Sequence, residues 1–133
     1  MIVNNMMFRF AMVGIVGFCT DAGLLHIGIN IFGFGPIIAR IPSFTIAVLV
    51  TWYLNRKYTF GIPDKSFTES FPPYLSSNFV GMLLNFGIYS FAILWMPDSL
   101  GRYPLLALAV GAAVSMVFNY VISRYFIFKP DSK

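Results

Sequence analysis

Few side chains in this sequence can do chemistry, and they recur at a helical spacing. Ser43, Ala47, Thr51 and Asn55 follow one another every fourth residue, with Arg56 and Lys57 directly after. Gly111, Ser115, Asn119 and Ser123 stand 68 residues further on at the same spacing, with Arg124 directly after. A spacing of four places each set on one face of a helix. A guanidinium closing each face can grip a phosphate through two parallel hydrogen bonds. Arg9 belongs to the same edge and joins Arg56 and Arg124 as a candidate phosphate ligand. The bland reading of all three is topology, cations that snorkel to a membrane edge. Lys57 reads as an anchor.

A second group can bind hydroxyls. Asp21 lies inside an apolar run, where a carboxylate costs about 2.5–3.5 kcal/mol on insertion scales. It shares a helical face with Gly14 and Gly17, which can admit another backbone closely. Asn78, Asn85 and Tyr89 form a stripe two to three turns long, with Gly81 between the amides. Amides facing lipid are costly, so this stripe faces protein or a cavity. Asp21, Thr51, Asn55, Asn78, Asn85, Tyr89, Asn119 and Ser123 are the candidate polar cleft, and Trp52 and Tyr120 the candidate stacking faces for a sugar ring. The competing role is hydrogen bonding between helices, about 0.6 kcal/mol per bond in membrane proteins. His26 is five residues past Asp21, on a different side, and reads as a core or interfacial residue.

No constellation for catalysis is present in the sequence. There is no G-x-S-x-G, no glycine-rich phosphate loop and no metal-ligand spacing. One cysteine, Cys19, and one histidine leave no thiolate cluster and no histidine-rich site. The reading is therefore a binding or transport protein, with no enzyme activity, no cofactor and no metal. Asp64 and Glu69 stand alone in a polar stretch.

The elements that carry these residues must be membrane helices. The chain has 133 residues, 58% hydrophobic and 11% charged, against about 25% charged in a soluble domain. Four apolar runs of spanning length are expected: about 10–32, 36–54, 74–96 and 103–123. The first lacks a small-X-small cleavage site and carries an acid, unlike a signal peptide. A polar stretch, 56–73, separates the two pairs. Four spans put both termini on one side. Arg9, Arg56, Lys57, Lys65, Arg124, Lys129 and Lys133 then share that side, and only Arg40 and Arg102 lie opposite. Such a bias places both termini in the cytoplasm. The net charge of +4 follows from topology and gives no ground for a nucleic-acid partner.

The fold class expected is all-α: an integral membrane four-helix bundle of two hairpins in parallel repeat. It is one membrane domain, 1–133, with repeats of about 8–60 and 74–128 around a loop, 61–73. A shift of 68 throughout sets Gly17 on Asn85 and Asp21 on Tyr89, so the odd helices appear diverged beside the even ones. Four helices enclose little volume, and pairing of two copies is expected.

At these residues the sequence resembles the GtrA-like family of small four-span membrane proteins. The resemblance rests on Arg9-Phe10-Ala-Met-Val-Gly14 opening the first span and Tyr53-Leu54-Asn55-Arg56-Lys57-Tyr58-Thr59-Phe60 closing the second. Phe118-Asn119-Tyr120-Val-Ile-Ser123-Arg124-Tyr125-Phe126-Ile-Phe128 closes the fourth. It covers roughly 8–128. It implies translocation of a polyprenyl-phosphate-linked sugar across the cytoplasmic membrane, supplying glycosyltransferases that modify cell-surface glycans. Two other functions fit four spans. One is a proton-coupled exporter of small cations using Asp21. The other is a non-transporting partner that positions a membrane glycosyltransferase through the 56–73 loop.

Overall fold

The computed structural model describes residues 2–130. Helix α1 is Ile2–Asn30, α2 is Pro36–Leu54, α3 is Phe67–Trp95 and α4 is Pro104–Ile122. Each even helix runs on into one π-helical turn, Asn55–Thr59 after α2 and Ser123–Ile127 after α4. A short 3₁₀ turn, Leu100–Arg102, precedes α4. All four helices are long and apolar enough to cross a bilayer, over Asn5–Asn30, Ile37–Thr59, Phe67–Trp95 and Leu106–Ile127. The protein is an all-α, multi-pass membrane bundle. Its polarity is inverted relative to a soluble fold. Ser43, Asn55, Ser70 and Ser123 are buried, while Phe18, Ile37 and Leu94 are more than two-thirds exposed. Lipid in place of water accounts for both.

The chain forms two compact units, one reaching to Leu75 and the other Ser76–Lys129. In the first, α1 packs along α2. Both even helices begin with proline at the first helical position, where its missing N–H costs nothing. Gly33 makes the α1–α2 turn at φ 71°, a conformation that favours glycine.

Three expectations about length are corrected. Helix α1 starts before Phe10, at Ile2. The even helices pass Leu54 and Ile122 into their π-turns. Helix α3 starts at Phe67, so the polar connection is far shorter than 56–73. Pro72 and Pro73 had read as loop. They sit instead on the exposed side of the second helical turn. Ser66 caps this helix: its Oγ accepts from the Glu69 N–H at 3.3 Å, and its carbonyl accepts from the Ser70 hydroxyl at 2.7 Å.

The internal layout of the two hairpins repeats, but not at one shift. On the even helices the buried residues Ala39, Ser43, Ala47, Trp52, Asn55 and Thr59 recur 68 residues later. Their counterparts are Ala107, Gly111, Ser115, Tyr120, Ser123 and Ile127. On α1 the buried residues are Phe10, Val13, Gly17 and Gly28. Tyr74, Ser77, Gly81 and Ala92 are buried 64 residues later on α3. The register of the odd helices is therefore 64, which sets Gly17 on Gly81 and Asp21 on Asn85. The difference arises largely in the turns. Residues 31–35 join α1 to α2, whereas 96–103 join α3 to α4. Four residues make about 1.1 helical turns, so the inward face survives the offset.

Candidate functional site

In the first unit the small-residue face of α2 meets α1. The Thr51 side chain lies over Gly17, where any added Cβ would collide with its methyl group. The Thr51 hydroxyl donates to the Val48 carbonyl at 3.0 Å, which spares it a partner on another helix. One turn on, Asn55 is 1% exposed and both of its polar atoms are engaged: an amide N–H donates to the Tyr74 hydroxyl at 2.8 Å. Its carbonyl accepts from Thr59 at 2.8 Å. A primary amide suits this place because it is donor and acceptor at once.

Arg56, inside the π-turn, is gripped on two sides. Its plane lies over the Trp52 ring, 4.5 Å from Cζ to centroid. Its Nη1 donates to the Lys65 carbonyl at 2.6 Å. Trp52 in turn donates from Nε1 to the Ser70 hydroxyl at 3.0 Å and meets Phe67 and Phe71 edge-on. The capped start of α3 and the end of α2 thus share one aromatic cluster with a cation on it. Arg56 Nε is buried and has no partner among the described residues, which leaves a directed donor beside a fixed charge. Arg9 is exposed and donates to the Tyr58 carbonyl at 3.1 Å, at the same end of the hairpin.

Asp21 does not join this group. Its Oδ2 forms a salt bridge with Arg40, toward the 31–35 turn. Sequence reasoning used Arg40 only to count charge across the membrane. Its pairing with Asp21 spans nineteen positions and a turn, and the signal for it was a lone acid and a lone cation on adjacent apolar helices. His26 is exposed and shares a hydrogen bond of 3.1 Å with Asn30 on its own helix.

The second unit holds the remaining candidates. Asn119 accepts from the Ser77 hydroxyl at 3.2 Å and lies against Gly81. Ser115 donates to the Gly81 carbonyl at 2.7 Å. Asn85 covers Gly111. These bonds use glycine to bring α3 and α4 backbones near each other. Asn78 and Tyr89 are half-buried on α3, and Tyr120 is 5% exposed on α4. Ser123 is fully buried, and its hydroxyl has no partner among the described residues. The Arg124 guanidinium lies 5.5 Å from the Tyr125 ring centroid.

Chemically, the first unit offers anchored guanidinium charge and hydroxyls at one end and an ion pair toward the other. No group of three histidine, cysteine or carboxylate side chains is placed to hold a metal among the described residues.

Known proteins carry the same sequence pattern. Residues 9–128 match the family model described as GtrA/DPMS, transmembrane domain. The chain is 29% identical over 118 residues to a dolichol-phosphate mannosyltransferase of Pyrococcus furiosus, covering 88% of this chain and 32% of that protein. It is 29% identical over 92 residues to a bactoprenol-linked glucose translocase of Salmonella phage P22, 69% of this chain and 68% of that one. The bactoprenol-linked glucose translocase of Shigella phage SfX is 28% identical over 123 residues, 86% of this chain and 93% of the relative. The match runs from Arg9 to Phe128 through all four spans, and the chain belongs to the GtrA/DPMS transmembrane-domain family.

Proposed function

We propose that the protein translocates a polyprenyl-phosphate-linked sugar across the cytoplasmic membrane and performs no group transfer itself. The observation that carries this is Arg56, a guanidinium held on Trp52 at a membrane edge with a buried N–H unspent. Family membership and the names of the phage relatives support it. The substrate has three parts with three different needs. Its prenyl tail can remain in lipid. Its phosphate needs fixed positive charge, which Arg9 and Arg56 offer in the first unit and Arg124 offers in the second. Its sugar needs hydroxyl, amide and aromatic partners; on the even helices Thr51, Asn55, Ser115 and Asn119 are bonded within the protein, and the buried Ser123 hydroxyl is one that is not. The charge bias along the chain supports a cytoplasmic position for these arginines and for both termini. Pairing of two copies would enlarge the polar volume that four helices can enclose.

The test is transport by purified protein in vesicles loaded with prenyl-phosphate glucose. Arg56→Ala and Arg124→Ala should each slow its movement at least about tenfold, the worth of a hydrogen bond to a charged group. Unchanged rates in both variants would remove the phosphate role.

A second reading draws on the archaeal relative, whose name is that of a mannosyltransferase and of which this chain covers 32%. In that reading the chain is the membrane seat of a separate glycosyltransferase, docked at the capped start of α3. Scrambling 60–66 should then abolish sugar transfer while leaving lipid movement intact. Cation export is disfavoured by the ion pair, because Arg40 already neutralises Asp21.

A further inference from the structure

We propose that Arg40, held by Asp21, is a second phosphate-binding station at the opposite end of the span from Arg56. The inference rests on the translocation reading and extends it to the far membrane face. The span is Ile37–Thr59, and Arg40 and Arg56 each lie three residues inside one of its ends. Sixteen residues of helix separate them, about 24 Å at 1.5 Å per residue. A lipid phosphate that crosses the bilayer exchanges one interface for the other over a comparable distance.

Three observations show that the pair is more than a clasp between helices. First, it is one-sided. Asp21 uses Oδ2 alone, while Oδ1 is buried and has no partner among the described residues. Second, the Arg40 side chain is 46% exposed, against 15% for Asp21. One of its five N–H donors serves Asp21, and the rest of the fork keeps the geometry that suits a phosphate. Third, the second hairpin packs without such a pair. Asp21 and Arg40 correspond to Asn85 and Leu108 in the second hairpin, where a neutral amide over Gly111 does the packing. The carboxylate holds the guanidinium in place when the station is empty and competes with the phosphate when it is filled.

The test uses the full chain in vesicles selected for a shielded N-terminal tag, which leaves the 31–35 turn outside. The probe is a short-chain prenyl phosphate without sugar, added externally. Arg40→Gln should weaken its binding at least about tenfold. Asp21→Asn should tighten it several-fold, because the competitor is gone. The double variant Asp21→Asn/Arg40→Gln keeps a neutral hydrogen-bonding pair and should bind as weakly as Arg40→Gln. Binding restored by the double variant, or loss of binding in Asp21→Asn, would mean that the pair is structural and overturn the proposal. If Arg40→Gln does not fold, the sign of the Asp21→Asn change decides alone. Wild-type protein that binds the probe through Arg40 yet moves no prenyl-phosphate glucose would sink translocation and leave the station standing. Transport that persists with both single variants unchanged in probe binding would do the reverse.

Discussion

Adding one methyl group at Gly111 should separate the α3–α4 seam. An ideal Cβ there would stand 2.8 Å from Asn85 Oδ1, 2.9 Å from the Asn85 carbonyl oxygen and 3.4 Å from its Cα. Two of the three are backbone atoms, so no rotamer change of Asn85 relieves the clash. The helices must move apart, and overpacking of this kind costs about 1–3 kcal/mol. Gly14 supplies the control. A Cβ at Gly14 meets nothing within 4 Å. Alanine there gains helix propensity of about 0.8–1 kcal/mol and loses no contact. Both glycines lie inside helices, so the propensity gain cancels between them, and Gly111→Ala should be about 1–3 kcal/mol less stable than Gly14→Ala. Thermal unfolding in one detergent, followed by helical circular dichroism, measures the difference. Adding Asn85→Ala should recover only part of the loss at Gly111, because the carbonyl remains. Equal midpoints for the two glycine variants would refute the close approach of α3 and α4 on which this reasoning stands.

Other outcomes follow from single contacts. Asn55→Leu removes the amide's bonds to the Tyr74 and Thr59 hydroxyls and should cost about 1–2 kcal/mol at the modest strength of membrane hydrogen bonds, read by the same unfolding assay. Trp52→Phe keeps a ring beneath Arg56 but loses the donor to Ser70, and should destabilise by about 1 kcal/mol. Arg56→Lys keeps the charge but loses the flat fork, so transport of prenyl-phosphate glucose should fall between wild type and Arg56→Ala. Ser66→Ala removes the cap of α3 and should cost about 1 kcal/mol, with faster proteolysis near residue 66 as the local readout.

The even helices were legible almost to the residue. Their expected starts, 36 and 103, fall within a residue of Pro36 and Pro104, and a small or polar residue every fourth position marked the face that turns inward. The odd helices were less legible. The inward face of α1 carries Phe10 and Val13 where α3 carries Tyr74 and Ser77, so the glycine pair Gly17 and Gly81 is the main match in residue type that flags the register. A shift that suits the even helices was carried across turns of unequal length. The start of α3 was hidden by Pro72 and Pro73, although Ser66-Phe-Thr-Glu69 is a capping signature that announces it. Among the candidate site residues, Asn55 and Arg56 stood out by position. What they touch did not, because Ser70 and the Lys65 carbonyl come from a segment read as loop, and Tyr74 from the first residue of the expected third span. Asp21 was flagged by its cost, but a lone carboxylate does not name its counter-ion, and only the folded hairpin brings Arg40 against it.

The two π-turns have a mechanical consequence. A ring closed from i to i+5 holds one residue more than an α-helical ring. Excising a single position from Asn55–Thr59 or from Ser123–Ile127 should let the helix continue in its ordinary form. Because the wide turn spends its extra residue in closing a single turn, what lies beyond the cut would keep nearly its present bearing about the axis. Phe60, whose ring sits 6.2 Å from that of Phe10, would therefore stay beside it. The wide turns thus act as slack, absorbing one surplus residue around each membrane-edge arginine without disturbing the chain on either side.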